Sequence, residues 1–178
     1  MSDFAPAIAV VLAHEGGWVD DVDDPGGETN FGISSLIISR EGLTSVDLGL
    51  DPVTAAQGGW LKAMTVDSAK NIYRRLFWDR YLYGRIEDQT CATKVFDAAV
   101  NLGPARAHQF AQFVAQCPVD GIFGPETCRA INACAPADFL EGFTAQLVGY
   151  YTGLVEAKPR LGKFLHNWLN RASWPRGH

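Results

Sequence analysis

The stretch that decides the fold is His14-Glu15-Gly16-Gly17-Trp18. Before it, apolar residues recur at helical spacing from near the start of the chain, and Glu15 comes next on the same stripe. Two consecutive glycines then favour the end of a helix, because glycine readily adopts the left-handed conformation of a C-terminal cap. The pattern predicts a helix that carries a carboxyl group, Glu15, at its end. The apolar stripe consists of Phe4, Ile8 and Val11.

An acidic, glycine-broken run follows from Val19 to Ile33. Proline and glycine at positions 25–27 prevent a helix, and alternating apolar and polar residues from Thr29 onwards favour a short strand or hairpin. Glycosidases place a protonated acid and an ionised carboxylate across the scissile bond. Glu15 and one aspartate of the run supply such a pair, so we expect an active site here. The aspartates are Asp20, Asp21, Asp23 and Asp24.

This stretch resembles the N-terminal signature of glycoside hydrolase family 108, the muramidases of phage endolysins and related lytic proteins. The similarity lies in Glu15-Gly-Gly and in the run from Asp24 to Ile33, Asp-Pro-Gly-Gly-Glu-Thr-Asn-Phe-Gly-Ile. Later segments are also similar to that family, and the last of them resembles its companion peptidoglycan-binding region. These segments are Tyr73 to Trp78, Val95 to Gly103 and Val119 to Thr127.

The resemblance implies three catalytic positions. Glu15 corresponds to the general acid, Asp24 to the second carboxylate and Thr29 to the hydroxyl that positions water in phage-type lysozymes. Thr29 comes one residue early relative to those lysozymes. Asp20, Asp21 and Asp23 remain alternatives for the second carboxylate.

We expect a mainly α, lysozyme-like helical fold with a small β-hairpin next to the catalytic helix. The resemblance divides the chain into a catalytic region, residues 1–103, and a helical peptidoglycan-binding region, residues 104–178, packed on the same core. Apolar periodicity and capping residues predict further helices. They are expected near 34–40, 65–83, 88–103, 105–115, 138–156 and 158–171, with a short one beginning at Pro125.

Four side chains are candidates for substrate binding. Trp78 and Tyr81 lie towards the end of the helix predicted near 65–83, and aromatic rings pack on the apolar faces of sugars, although an aromatic residue at helical spacing is more often part of a core. Asp97 and Asn101 lie four residues apart on an otherwise apolar helix and therefore share one face. Spacing alone does not decide whether these two residues form an exposed polar stripe or bind sugars. The family resemblance favours sugar binding.

Charge is distributed unevenly along the chain. Residues 1–60 hold ten acidic residues and one basic residue, whereas residues 157–178 hold five basic residues and no acid. With a net charge of −5 and no interior basic stripe, we expect no nucleic-acid partner. The basic tail is either a solvated helix end or a contact to the cell envelope. We expect a monomer whose partner is peptidoglycan.

Neither a metal nor a cofactor is expected. The cysteines lack paired C-x-x-C spacing, so we interpret them as free thiols, with pairing of Cys117 and Cys128 in an oxidising compartment as a minor alternative. The apolar run at residues 5–13 lacks a basic leader and a cleavage site. We therefore expect synthesis in the cytoplasm without a signal peptide, and action in the periplasm or on the wall after holin-type release.

These observations favour an N-acetylmuramidase that hydrolyses the β-1,4 bond between N-acetylmuramic acid and N-acetylglucosamine, as an endolysin for bacterial lysis. Two alternatives remain open. A lytic transglycosylase also uses a glutamate acid, but the muramyl 6-hydroxyl attacks instead of water. A non-catalytic wall-binding protein would rest on residues 104–178 alone.

Overall fold

The structure is a computed structural model and describes residues 1–16 and 28–175. The chain divides into two compact units. One consists of residues 8–80, and the other of residues 1–7 with residues 81–178. No helix in the described ranges combines the length and apolar character that crossing a bilayer requires.

A helix and a β-hairpin begin the unit of residues 8–80. Helix α1 spans Phe4–His14, as predicted, and enters this unit at Ile8. Strands β1 (Thr29–Asn30) and β2 (Ile33–Ser34) pair antiparallel, with Thr29 opposite Ser34 and Asn30 opposite Ile33. Ile8, Val11 and Ile33 are buried, so the apolar stripe of the sequence does face the core.

Four short helices follow the hairpin: α2 (Ser35–Arg40), α3 (Pro52–Gln57), α4 (Trp60–Ala63) and α5 (Val66–Tyr73). The Thr65 hydroxyl caps α5 by accepting from the Ser68 N–H, so this helix starts where the sequence predicts one. The helix expected to continue to residue 83 instead changes at Arg74 into a π-helix, Arg74–Trp78. The Asp79 N–H donates to the Arg74 carbonyl at 2.8 Å, a bond that spans five residues.

Helix α6, Gln89–Leu102, is the most buried helix of the other unit. Asp88 caps it by accepting from the Cys91 N–H at 2.8 Å. Every residue from Cys91 to Ala99 is buried, in agreement with the apolar helix that is expected near 88–103. The start of the chain attaches beside it, because Gln89 bonds the backbone of Asp3 in both directions.

Helices α7 (Pro104–Val114), α8 (Pro125–Ala133), α9 (Pro136–Ala157) and α10 (Gly162–Ala172) complete this unit. Helix α7 packs on α6, α8 and α9, and α10 packs on α9. Each of α7, α8 and α9 has proline in its first turn, where the missing N–H costs no helical bond. The four cysteines are thiols.

Helix α9 buries Phe139, Phe143, Leu147 and Tyr151. On α10, by contrast, Phe164 is 40% exposed. The mainly α fold with a two-stranded hairpin is as predicted. The proposed division of the chain at residue 103 stays a prediction.

Candidate active site

Glu15 lies directly after the last residue of α1. Its N–H donates to the Val11 carbonyl at 2.9 Å, so the backbone continues the helical bonding pattern through Glu15. The residue is half-buried. The end of a helix therefore fixes the backbone from which this carboxyl group extends.

The turn of the β-hairpin lies against the Glu15 carboxyl group. Phe31 and Gly32 form the turn and both have positive φ, 50° and 75°, as in the two-residue hairpins that suit a right-handed strand twist. A Cβ atom on Gly32 would lie 2.4 Å from Glu15 Oε2 and 2.6 Å from the Tyr73 hydroxyl oxygen. Both oxygens thus border the space that a side chain at position 32 would occupy, and glycine is required there.

Tyr73 is a site residue that the sequence analysis did not single out. It is the last residue of α5 and only 2% exposed. Its hydroxyl donates to the Phe31 carbonyl at 2.7 Å, which anchors the hairpin turn beside Glu15. The available signal was its position at the start of the family-like segment Tyr73 to Trp78.

A second anchor holds the hairpin through Asn30. This residue is 4% exposed, and its amide Nδ2 donates to the Leu61 carbonyl of α4 at 2.7 Å. Its neighbour Thr29 is half-buried on β1. The structure therefore places Thr29 on the hairpin whose turn contacts Glu15, and its role in positioning water stays a prediction.

Asp24 and its alternatives Asp20, Asp21 and Asp23 lie outside the described residues. The choice among them is not tested. Within residues 1–16 and 28–175, no cluster of three or more His, Cys, Asp or Glu side chains is arranged to hold a metal ion.

The two aromatic candidates, Trp78 and Tyr81, are partly or fully buried. Trp78 ends the π-helix and is 5% exposed. Tyr81, in the other unit, is half-buried, and its ring centroid is 4.8 Å from that of His108 with the rings edge to face. Their proposed contact with sugar rings stays a prediction.

Asp97 and Asn101 both have partners inside the unit of residues 81–178. Asp97 is 6% exposed and accepts from two nitrogens of Arg171, at 2.8 and 3.0 Å. The Tyr151 hydroxyl donates to Asn101 Oδ1 at 2.5 Å. Burial raises the pKa of Tyr151, so this hydroxyl keeps its proton and remains a donor. Both side chains join α6 to later helices, and a role in sugar binding stays a prediction.

A carboxyl group at a helix end, set against a β-hairpin in a mainly α protein, is the arrangement of lysozyme-like glycoside hydrolases. The glycosyl hydrolase 108 family model matches residues 8–103, more than half of the 178-residue chain. The protein therefore belongs to glycosyl hydrolase family 108. A second model, described as a predicted peptidoglycan domain, matches residues 106–173.

A solved structure supports the assignment. The chain is similar to SagA of Brucella abortus, with a TM-score of 0.73 and 27% identity over 96% of this chain and 89% of that one. No curated protein matches the chain. The family and the matched peptidoglycan region together make this protein a lysozyme-type glycoside hydrolase that acts on peptidoglycan.

Proposed function

We propose that this enzyme hydrolyses the β-1,4 bond between N-acetylmuramic acid and N-acetylglucosamine, with Glu15 as the general acid. The observation that carries the proposal is the placement of the Glu15 carboxyl group. A helix end sets its backbone, and the turn of the hairpin closes against Oε2. A carboxyl group that is already oriented loses little conformational freedom when it protonates the leaving oxygen.

The chemistry follows from two carboxyl groups. Glu15 gives its proton to the glycosidic oxygen as the carbon–oxygen bond breaks, and a second carboxylate stabilises the positive charge that develops on the sugar. Water then supplies the hydroxyl group of the new reducing end, and its other proton passes to a carboxylate of the site, so that the next cycle starts again from a protonated Glu15. The resemblance to family 108 assigns Asp24 to the second role and Thr29 to positioning the water.

The test of the acid is Glu15→Gln, which keeps the shape of the side chain but cannot donate the proton. We expect activity on purified sacculi to fall by roughly a hundredfold to ten-thousandfold, with an unchanged circular dichroism spectrum. Glu87→Gln is the matched control, since Glu87 is exposed. Activity of Glu15→Gln within a few fold of the wild type would remove Glu15 from the mechanism.

Mass spectrometry of the products tests the bond and the attacking group. Hydrolysis by a muramidase leaves reducing N-acetylmuramic acid ends. Anhydro ends would show a lytic transglycosylase, and reducing N-acetylglucosamine ends would show cleavage of the other glycosidic bond. Either of these outcomes contradicts the proposed reaction.

The second carboxylate is tested by four separate variants, Asp20→Asn, Asp21→Asn, Asp23→Asn and Asp24→Asn. We expect Asp24→Asn to cause the largest loss of kcat, because its spacing from Glu15 matches that of the lysozyme acid and its partner. Turbidity clearing of sacculi gives the comparison. A larger loss in another variant would move the role to that aspartate.

We further propose that the enzyme serves as an endolysin, works as a monomer and reaches the wall from the cytoplasm through a holin-type lesion. The resemblance of its signature to phage endolysins supports this. Expression in a bacterial cytoplasm should cause lysis only when a holin is co-expressed. Lysis without the holin would contradict the release step, and light scattering of the purified protein checks the monomer.

A further inference from the structure

A groove opens between α7 and α9, within the region that matches the predicted peptidoglycan domain. Its volume is about 230 Å³. It combines a guanidinium group, an amide, two aromatic rings and a floor of small residues. The lining residues are Arg106, Phe110, Ala145, Gln146, Gly149 and Tyr150.

Two glycines of α9 show where the groove begins. At Gly142 the helices are in close contact, because a Cβ atom there would lie 2.9 Å from Val114 Cγ1 of α7. At Gly149, two turns further along α9, a Cβ atom would meet nothing within 4 Å. The space beside Gly149 is therefore accessible to a ligand.

Arg106 supplies the charge of the groove. Its guanidinium carbon lies 4.7 Å from the centroid of the Tyr150 ring, and the Phe110 ring is 5.9 Å from that of Tyr150. Arg106 is exposed, and no carboxylate of the described residues forms an ion pair with it. Stacking on an aromatic ring restricts the motion of the guanidinium group. Its N–H donors lie in the guanidinium plane, so the ring does not cover them. The group is thus prepared to bind an anion.

The remaining lining residues narrow the class of anion. Gln146 offers one amide donor group and one acceptor, which suits peptide or acetamido groups. The rings and the small residues favour a ligand with apolar faces, and an arginine fork matches the geometry of a carboxylate. A peptidoglycan stem peptide has all of these features, since it carries amides, methyl groups and free carboxylates.

We propose that this groove is a second peptidoglycan-binding site, in which Arg106 binds a carboxylate of the stem peptide. This second site depends on the proposed function in one respect only, that the polymer is peptidoglycan. Binding here retains the enzyme on the sacculus between cleavage events. It requires no residue of the active site.

The test measures co-sedimentation of the full chain with purified sacculi, in the Glu15→Gln background so that the sacculi stay intact. Arg106→Gln and Gly149→Leu should each weaken binding by roughly tenfold or more. Arg106→Gln removes the cation that binds the carboxylate, and Gly149→Leu fills the groove with a side chain. Gly153→Leu is the control for the second change, because Gly153 lies on the same helix and also has nothing within 4 Å of its Cβ position. Arg129→Gln, on α8, is the control for lost charge. Both controls should bind within twofold of the parent.

Competition identifies the ligand. A soluble disaccharide that carries a tetrapeptide should displace the parent protein from sacculi, and the peptide-free disaccharide should not. Equal displacement by both would overturn the assignment to the stem peptide. If Arg106→Gln and Gly149→Leu both bind sacculi as well as the parent does, and the wild-type chain still cleaves sacculi, the groove is not a binding site. The proposed function would then stand. A wild-type chain that neither binds nor cleaves sacculi would overturn both.

Discussion

Gly32 controls how closely the hairpin approaches the catalytic acid. Its φ of 75° and the 2.4 Å between its Cβ position and Glu15 Oε2 are separate constraints. The first concerns the backbone of position 32 alone, whereas the second concerns the space that Glu15 needs. A matched pair of substitutions separates them.

We expect Gly32→Ala to abolish most activity, because the methyl group displaces the Glu15 carboxyl group or the hairpin turn. Gly42→Ala is the control, since Gly42 has a similar φ of 62° but nothing within 4 Å of its Cβ position. Each change costs about 1–2 kcal/mol of folding free energy through the left-handed backbone. Thermal unfolding together with turbidity assays should show two destabilised proteins of which only Gly42→Ala stays active. Full activity in Gly32→Ala would contradict the close contact.

Among the elements, α7 is joined to the loop of residues 115–124 by buried polar side chains. Gln112 Oε1 accepts from the N–H groups of Asp120 and Gly121, and its Nε2 donates to Asp120 Oδ1 and to the Ile122 carbonyl. His108 Nδ1 lies 3.1 Å from the Gly121 carbonyl and therefore donates to it. Its Nε2, 2.7 Å from the Tyr83 hydroxyl, then accepts as part of a neutral ring.

Burial lowers the pKa of His108 from 6.5 to about 4. Below pH 6.5 the unfolded chain takes up a proton at this position while the folded chain does not, so stability falls as the pH decreases towards 4. His108→Gln keeps one donor and one acceptor but does not titrate. Between pH 7 and pH 5, the free energy of unfolding of this variant should therefore fall by about 2 kcal/mol less than that of the wild type.

Urea unfolding at the two pH values measures this difference. The exposed His166 provides the control, and His166→Gln should keep the wild-type dependence. An unchanged pH dependence in His108→Gln would show that the ring is not held neutral.

For the chain as a whole, α10 is an integral part of the unit of residues 81–178. Arg171 forms an ion pair with Asp97 of α6 at 2.8 Å, and the two side chains are only 11% and 8% exposed. Lys94 of α6 donates to the Ala172 carbonyl at 2.6 Å and to the Trp174 carbonyl. Trp168 stacks on Tyr151 of α9, with ring centroids 5.3 Å apart. Packing and buried charge thus tie the end of the chain to the central helix.

Trp168→Ala should lower the free energy of unfolding by roughly 2–3 kcal/mol, since it removes a half-buried indole from the stack on Tyr151. Neutralising Lys158, Arg160 and Lys163 together should leave the melting temperature nearly unchanged, because exposed charges contribute only a few tenths of a kcal/mol each. Thermal unfolding of both variants provides the comparison. If a chain truncated before Lys158 stayed folded and active on sacculi, α10 would be an appendage rather than part of the core.

Much of the candidate site was predictable because its signals are local. The glycines after Glu15, the start of the helix expected from residue 65 and the hairpin from Thr29 to Ser34 depend on backbone preferences within a few residues. The π-helix at Arg74–Trp78 was not predictable, since no glycine or proline interrupts the helical pattern there. The sequence predicted a continuing helix at that point.

By itself the sequence determined the family, the mainly α fold and the position of Glu15 at a helix end, because residues close together in the chain specify each of these. Only the tertiary structure decided which distant groups meet. Tyr73 reaches the Phe31 carbonyl across 42 positions, and Arg171 reaches Asp97 across 74. Periodicity says which face of a helix is buried, but the partner on that face depends on how the helices pack, and packing involves the whole chain.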